Sequence, residues 1–186
     1  MSRFMSRVFG LALLLAVIAS PLLVRGTVAQ DAATPCPALT EEEGTALATA
    51  YIAAWNAKDT AALVALHTPN TLRHWGIGVD SEGADELAAS LDAFFAAFPG
   101  AHATLDQVWI AGDTVIFRYI SLGIQEEDYM GFPASQETTT FTGITVLRLD
   151  CGLVAETWAE ADHLGRLQQQ GAIPVASPEA EATPAG

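Results

Sequence analysis

ITVLRLDCGLVAETWAEADHLGRLQQQG, running from Ile144 to Gly171, is the stretch around which this chain is organised. It reads as strand, tight turn, strand and a short helical tail. The turn is Asp150-Cys151-Gly152, where glycine is free to take positive φ. The second strand runs into Asp162-His163-Leu164-Gly165, and the tail Arg166-Leu167-Gln168-Gln169-Gln170-Gly171 closes the stretch.

Upstream of this hairpin the same strand-like patterning continues. Ala103 to Ala111 is predicted as a strand, and Gly112-Asp113 turns it. Thr114 to Gln125, rich in valine, isoleucine and aromatics, is the next. Glu126 to Gln136 is an acidic loop containing glycine and proline. Glu137 to Leu149 and Leu153 to Glu160 complete an antiparallel meander of four strands.

Before residue 100 the period is helical. Thr40-Glu41-Glu42-Glu43 is a capping box, with a hydroxyl at the N-cap and a carboxylate three residues on. Leu47, Ala48, Tyr51, Ile52 and Trp55 then recur at helical spacing, which carries a helix to about Lys58. Asp59 caps a second helix, Thr60 to His67, stopped by Pro69. Asn70 to Gly83 has no period and is predicted as a loop; it holds His74-Trp75-Gly76, bulky groups that in a loop tend to close over something. Leu87, Leu91, Phe94, Phe95 and Phe98 stripe a third helix, Ala84 to Phe98, and Pro99-Gly100 ends it. Three N-terminal helices packed on one face of a curved four-stranded antiparallel sheet make an α+β domain with a cone-shaped cavity.

The ends of the chain lie outside that core. Arg3 and Arg7 precede an apolar run from Val8 to Val24, and Thr27-Val28-Ala29 offers small residues for cleavage, so residues 1–29 are expected to be a signal peptide. The alternative is an uncleaved membrane anchor. Residues 30–39 are a proline-containing linker, 40–171 the folded domain, and 172–186 a small, acidic, proline-rich tail expected to be disordered. Three of the eight basic residues and none of the 22 acidic ones precede Gln30. The chain beyond is therefore strongly acidic, which disfavours nucleic acid and anionic membranes as partners and favours solubility. Cys36 and Cys151 are the two cysteines. In an exported chain they are expected to form a disulfide that pins the N-terminal segment to the hairpin, the alternative being two free thiols.

Four stretches together resemble the SnoaL-like polyketide cyclases, a branch of the nuclear transport factor 2-like superfamily. They are Trp55-Asn56-Ala57-Lys58-Asp59, the Phe94–Gly100 segment FFAAFPG, Met130-Gly131-Phe132-Pro133 with Thr140-Phe141-Thr142-Gly143, and the opening stretch itself. The resemblance spans roughly Glu42 to Gly171. It implies a cone-shaped cavity and, in the characterised cyclases, an aspartate on the last strand with a histidine on the strand before it as the acid/base pair. Those positions fall on Ala159 and Thr145, neither of which can move a proton in that role. The fold hosts many activities and some members with none.

Asp162 and His74 are the remaining candidates for catalysis. Asp162 reads either as a general base at the cavity rim or as the N-cap of the helical tail. His74 reads either as a proton carrier in a covering loop or as a group that orders that loop. Arg118 either pairs across the sheet or meets a ligand anion. His67, His102 and His163 lack the spacing of a metal site, so neither metal nor cofactor is expected. Tyr51, Trp55, Trp75, Phe94, Phe98, Phe117, Tyr119, Phe141, Thr145 and Ala159 are the expected pocket lining. By strand parity Glu156 and Trp158 face the other way, where an exposed tryptophan suits a homodimer. The expected function is binding of a small hydrophobic molecule. The alternatives are a cyclase, isomerase or hydrolase built on Asp162 and His74, and a structural homodimerisation domain.

Overall fold

A computed structural model of the chain describes residues 36–75 and 79–174. The expected signal peptide, most of the linker and the tail beyond residue 174 lie outside the described residues.

The first helix, α1, is Glu41–Ala57. Its capping box is formed as expected: the Thr40 hydroxyl accepts from the Glu43 N–H at 3.2 Å, and the Glu43 carboxylate accepts from the Thr40 N–H at 3.0 Å. Lys58 then takes the left-handed conformation (φ 58°), and Asp59 caps α2, Thr60–Ala65, by accepting from Ala62 N–H at 2.9 Å. The motif Trp55–Asp59 thus turns one helix into the next. Its Asn56 amide also clasps the backbone of Ala103, donating to the carbonyl and accepting from the N–H, each at 2.8 Å.

The chain next makes β1, His67–Trp75, and β2, Val79–Glu82, before α3, Ala84–Ala97. Strands β3, His102–Ala111, β4, Thr114–Ile124, β5, Thr138–Asp150, and β6, Leu153–Ala161, follow, and α4, His163–Gln169, ends the domain. The six strands form one sheet in the order β2-β1-β6-β5-β4-β3.

This corrects the expected architecture in two ways. The sheet has six strands rather than four, and it is mixed, because β1 lies parallel to β6 while every other pair is antiparallel. The helices are not three in a row at the N-terminus, since β1 and β2 separate α2 from α3. Asn70–Gly83 was expected to be a loop because β1 hides its period: its inward positions are Thr71, Arg73 and Trp75, two of them polar. Pro69 sits where the β1–β6 register shifts between His67 and Leu72, a place where a strand tolerates a residue without an N–H.

The core lies between the inner face of the sheet and α1–α3. Tyr51, Leu63, Leu87, Leu91, Phe117, Leu147 and Val154 are buried there. The hairpin between β5 and β6 is tight, with positive φ at Cys151 (49°) and Gly152 (87°). Cys151 pairs with Cys36, their Cα atoms 5.1 Å apart, within the span a disulfide bridges.

Two glutamine clasps hold the end of the domain. Gln169 donates to the Thr140 carbonyl and accepts from its N–H, each at 2.9 Å, which fixes α4 on β5. Gln125 is fully buried; its amide donates to the carbonyls of Glu127 and Phe132 at 3.0 and 2.9 Å and accepts from Gln170 at 3.0 Å. The loop after β4 is thereby folded back, with Tyr129 and Phe132 bridged around Met130-Gly131. The Met-Gly-Phe-Pro motif is this turn: Met130 and Gly131 both have positive φ, 52° and 81°.

Candidate functional site

One cavity opens between the concave face of the sheet, α1, α3, α4 and the loop after β4. All ten residues expected to line a pocket do line it: Tyr51, Trp55, Trp75, Phe94, Phe98, Phe117, Tyr119, Phe141, Thr145 and Ala159. Strand parity delivers five of them. Phe117 and Tyr119 alternate inward on β4, Phe141 and Thr145 on β5, and Ala159 on β6, with Phe117, Thr145 and Ala159 in register across three strands. The helices supply the far wall: Trp55 lies 4.9 Å from Phe94, and Phe94 stacks on Phe98 at 4.7 Å. Tyr129 closes the aromatic ring from the loop, edge-on to Phe98 at 5.5 Å.

The space enclosed is about 50 Å³. A water needs roughly 10–15 Å³ and a cavity of about 150 Å³ takes a benzene, so this one holds a few waters, and a ligand of even one ring has to move side chains outward.

Eight lining residues were not foreseen: Ile52, Arg73, Ala103, Ser121, Tyr129, Ala161, His163 and Arg166. They bring the polarity. Arg73 points inward from β1 and is only 4 % exposed. Its guanidinium lies 4.0 Å over the Trp75 ring, reaches Ser90 Oγ at 3.4 Å, and leaves Nε without a partner among the described residues. Arg166, on α4, is 6 % exposed and stands 5.4 Å over Phe98. His163, at the start of α4, has neither ring nitrogen bonded among the described residues. Strand parity could have flagged Arg73, since it alternates with Thr71 and Trp75. Nothing in the sequence marked α4 as a cavity wall, so Arg166 and His163 left no such trace.

The electrostatics follow from burial and from these two guanidinium groups. Burial lowers the pKa of both arginines, yet arginine keeps its proton in proteins. Burial raises the Tyr119 phenol to about 12, against the pull of Arg73, and raises Tyr51 and Tyr129 as well. Tyr129 is drawn back by both Arg73 and Arg166. Burial first, and Arg166 second, push His163 below its ordinary value, so its imidazole is neutral at neutral pH. No aspartate or glutamate among the described residues lines the cavity.

Asp162 and His74 are not brought together there. Asp162 is exposed and caps α4, its Oδ1 accepting from Gly165 N–H at 2.8 Å. His74 alternates with Arg73 and Trp75 and so lies on the outer face. It stacks on Trp158 at 5.4 Å and meets Glu156 at 3.0 Å. Arg148 and then His74 hold the Glu156 carboxyl below the usual carboxylate range. Arg118 pairs with Asp106 on the same face. That face also exposes Trp109, Ile120, Leu122 and Ile144, set among Thr104, Thr140, Thr142 and Glu160. His67 is buried outside the cavity wall, its Nδ1 2.8 Å from the Leu63 carbonyl, and His102 is exposed at the start of β3.

The family model described as SnoaL-like polyketide cyclase matches residues 45–170. Among solved structures, TsrD from Streptomyces laurentii is 25% identical, with 73% of this chain and 99% of that one covered at a TM-score of 0.65. A SnoaL-like protein from Jannaschia sp. is 19% identical, covering 76% and 100% at 0.67. IdmH from Streptomyces antibioticus is 23% identical, covering 69% and 98% at 0.60. The last two likenesses speak for the fold alone. No curated protein matches the sequence.

Proposed function

This chain belongs to the SnoaL-like polyketide cyclase family, and on that premise we propose that it is an exported binding module that holds a small, largely aromatic molecule without cyclising it. The carrying observation is a cavity walled by aromatic rings with no aspartate or glutamate among its lining residues. The family's cyclisation needs a group that takes a proton from carbon and returns one to oxygen. Thr145 and Ala159 stand in register on β5 and β6 at the positions the resemblance assigns to that pair, and neither can do it. What remains at those two positions is shape and stacking, which bind without turnover. The oxidised Cys36–Cys151 pair and the expected signal peptide fit an extracytoplasmic protein.

Native mass spectrometry of the secreted protein, with no ligand added, tests this reading. A retained molecule of one or two rings, released on denaturation and recovered unchanged after incubation, is expected. Conversion of that molecule by the purified protein would sink the binding-module reading.

The outer face supports a second role. Trp109, Ile120, Leu122 and Ile144 lie on the side of the sheet away from the cavity, and Trp109 and Leu122 are 46 % and 49 % exposed. We propose a homodimer through this face. A sedimentation mass of one chain at micromolar concentration would refute it, and Trp109→Lys should convert a dimer to monomer.

A further inference from the structure

We propose that the cavity selects a carboxylate: its ligand is a small aromatic acid whose carboxylate sits against the Arg73 guanidinium, with Arg166 as a second positive group on the α4 side. This rests on the binding reading above and narrows it to one chemical class.

The argument begins with an internal control. The two arginines on the outer face of the sheet each have a carboxylate, Arg118 with Asp106 and Arg148 with Glu156. The two arginines of the cavity have none among the described residues, although both are far more buried. Carboxylates are not scarce, since the chain has 22 acidic residues against eight basic ones. Leaving a buried guanidinium without a counter-charge is costly to the fold. Arg73 makes only a long bond to Ser90 and a stacking contact with Trp75, and its Nε donor is unused among the described residues. A planar fork with a free donor, held over an indole, suits bidentate pairing with a carboxylate.

The remaining polar wall agrees. Tyr129 feels both guanidinium groups, so the two cationic centres share one stretch of wall. The Trp75 indole N–H is buried and also unpaired among the described residues. The tyrosine hydroxyls stay protonated, the Tyr119 phenol being pushed up to about 12. The wall thus offers donors and positive charge beside the apolar faces of its Phe and Trp rings. A ligand with an apolar ring and an acceptor-only head group satisfies both, and a cavity of about 50 Å³, smaller than the roughly 150 Å³ that takes a benzene, favours a small ring system and outward movement of side chains to admit it.

The test is calorimetric titration of the full secreted protein with benzoate and 2-naphthoate, each beside its neutral amide of the same shape. At least one acid is expected to bind about tenfold or more tightly than its amide, as charge-assisted pairing implies. Arg73→Met should bring acid and amide within about twofold and leave the melting temperature equal or higher, because an unpaired buried charge is removed. Arg73→Lys keeps the charge without the fork and should retain part of the preference. Arg166→Met should weaken the preference without abolishing it.

Equal binding of acid and amide by the parent protein overturns this inference and leaves the binding reading standing. No saturable binding of any of the four compounds overturns both. Arg73→Met that melts lower yet keeps the parent's preference, or an Arg73→Met that does not fold beside an Arg166→Met and Arg73→Lys with unchanged preference, makes Arg73 a scaffold residue and also overturns it.

Discussion

Removing the Cys36–Cys151 bridge, by Cys36→Ser with Cys151→Ser, is expected to cost about 4.8 kcal/mol of stability, and the size follows from where the bridge sits. The cysteines are 115 positions apart. For a loop of that length the chain-entropy relation removes about 16 cal/mol/K from the unfolded state, or about 4.8 kcal/mol at 25 °C. Little of the loss can come from the native side, because Cys36, Pro37 and Ala38 are exposed and α1 keeps its own capping box. Leu39 is the first residue of that segment to touch the core. With a urea dependence of about 2 kcal/mol/M, the midpoint should fall by about 2.4 M, and the slope should steepen as the unfolded chain expands. Equilibrium unfolding followed by far-ultraviolet circular dichroism gives both quantities. A midpoint shift below about 0.5 M would refute the entropy argument. Two titratable thiols in the denatured, unreduced parent protein would remove its premise.

Three further outcomes are expected. Asp162→Ala should lose about 1 kcal/mol, the ordinary worth of an N-cap, and leave ligand affinity unchanged; a change in affinity with stability intact would return Asp162 to the cavity. Gly143→Ala should destabilise by about 1–3 kcal/mol, because an added methyl overlaps the tip of the Tyr119 ring and lies 2.8 Å from the Glu160 carbonyl oxygen; its urea midpoint reads the cost, and a neutral result would mean that Tyr119 swings freely. Burial holds His67 and His163 below 6.5, so the unfolded chain takes up protons more readily than the folded one. Their contribution is complete above about pH 6.5 and is lost as pH falls toward the lower folded values. His67→Gln with His163→Gln should therefore narrow its stability gap to the parent on going from pH 7.5 to 5, and a gap that stays constant or widens would contradict the sign.

The cavity lining was legible because a meander of strands announces its parity. Phe117, Tyr119, Phe141, Thr145 and Ala159 could all be assigned to one side by counting in twos, and the helical stripe ending in Trp55 and Phe98 supplied the opposite wall. The polar part was not legible for the same reason. Pattern reading treats an inward residue as an apolar one, so Thr71-Leu72-Arg73 looked like the inverse of a strand. Pro69 strengthened the impression of a loop, although it occupies a register shift where its missing N–H does no harm. Once β1 was lost, Arg73 was one more scattered base, and His74 seemed to sit in a lid when it belongs to the outer face.

Tail and loop motifs were recognisable as resemblance before their work was apparent. Asn56, Gln125 and Gln169 each use a side-chain amide to complete backbone pairing at a place where the chain leaves regular structure. A single sequence shows such residues only as polar letters, because their partners lie 47, 7 and 29 positions away.

The parallel pairing of β1 with β6 also sets an order of events in time. Arg73 and Trp75 belong to a strand made early, yet their neighbours Thr157 and Ala159 belong to the last strand of the sheet. The β1–β2 hairpin and every hairpin from β3 to β6 can zip between adjacent segments as they appear, whereas the other edge of β1 must wait, its loop entropy unrecovered, until Leu153–Ala161 exists to receive it. A chain emerging from the ribosome N-terminus first therefore carries one edge of its cationic strand unpaired through most of its synthesis. The cavity is assembled last, in a step that joins the two halves of the chain.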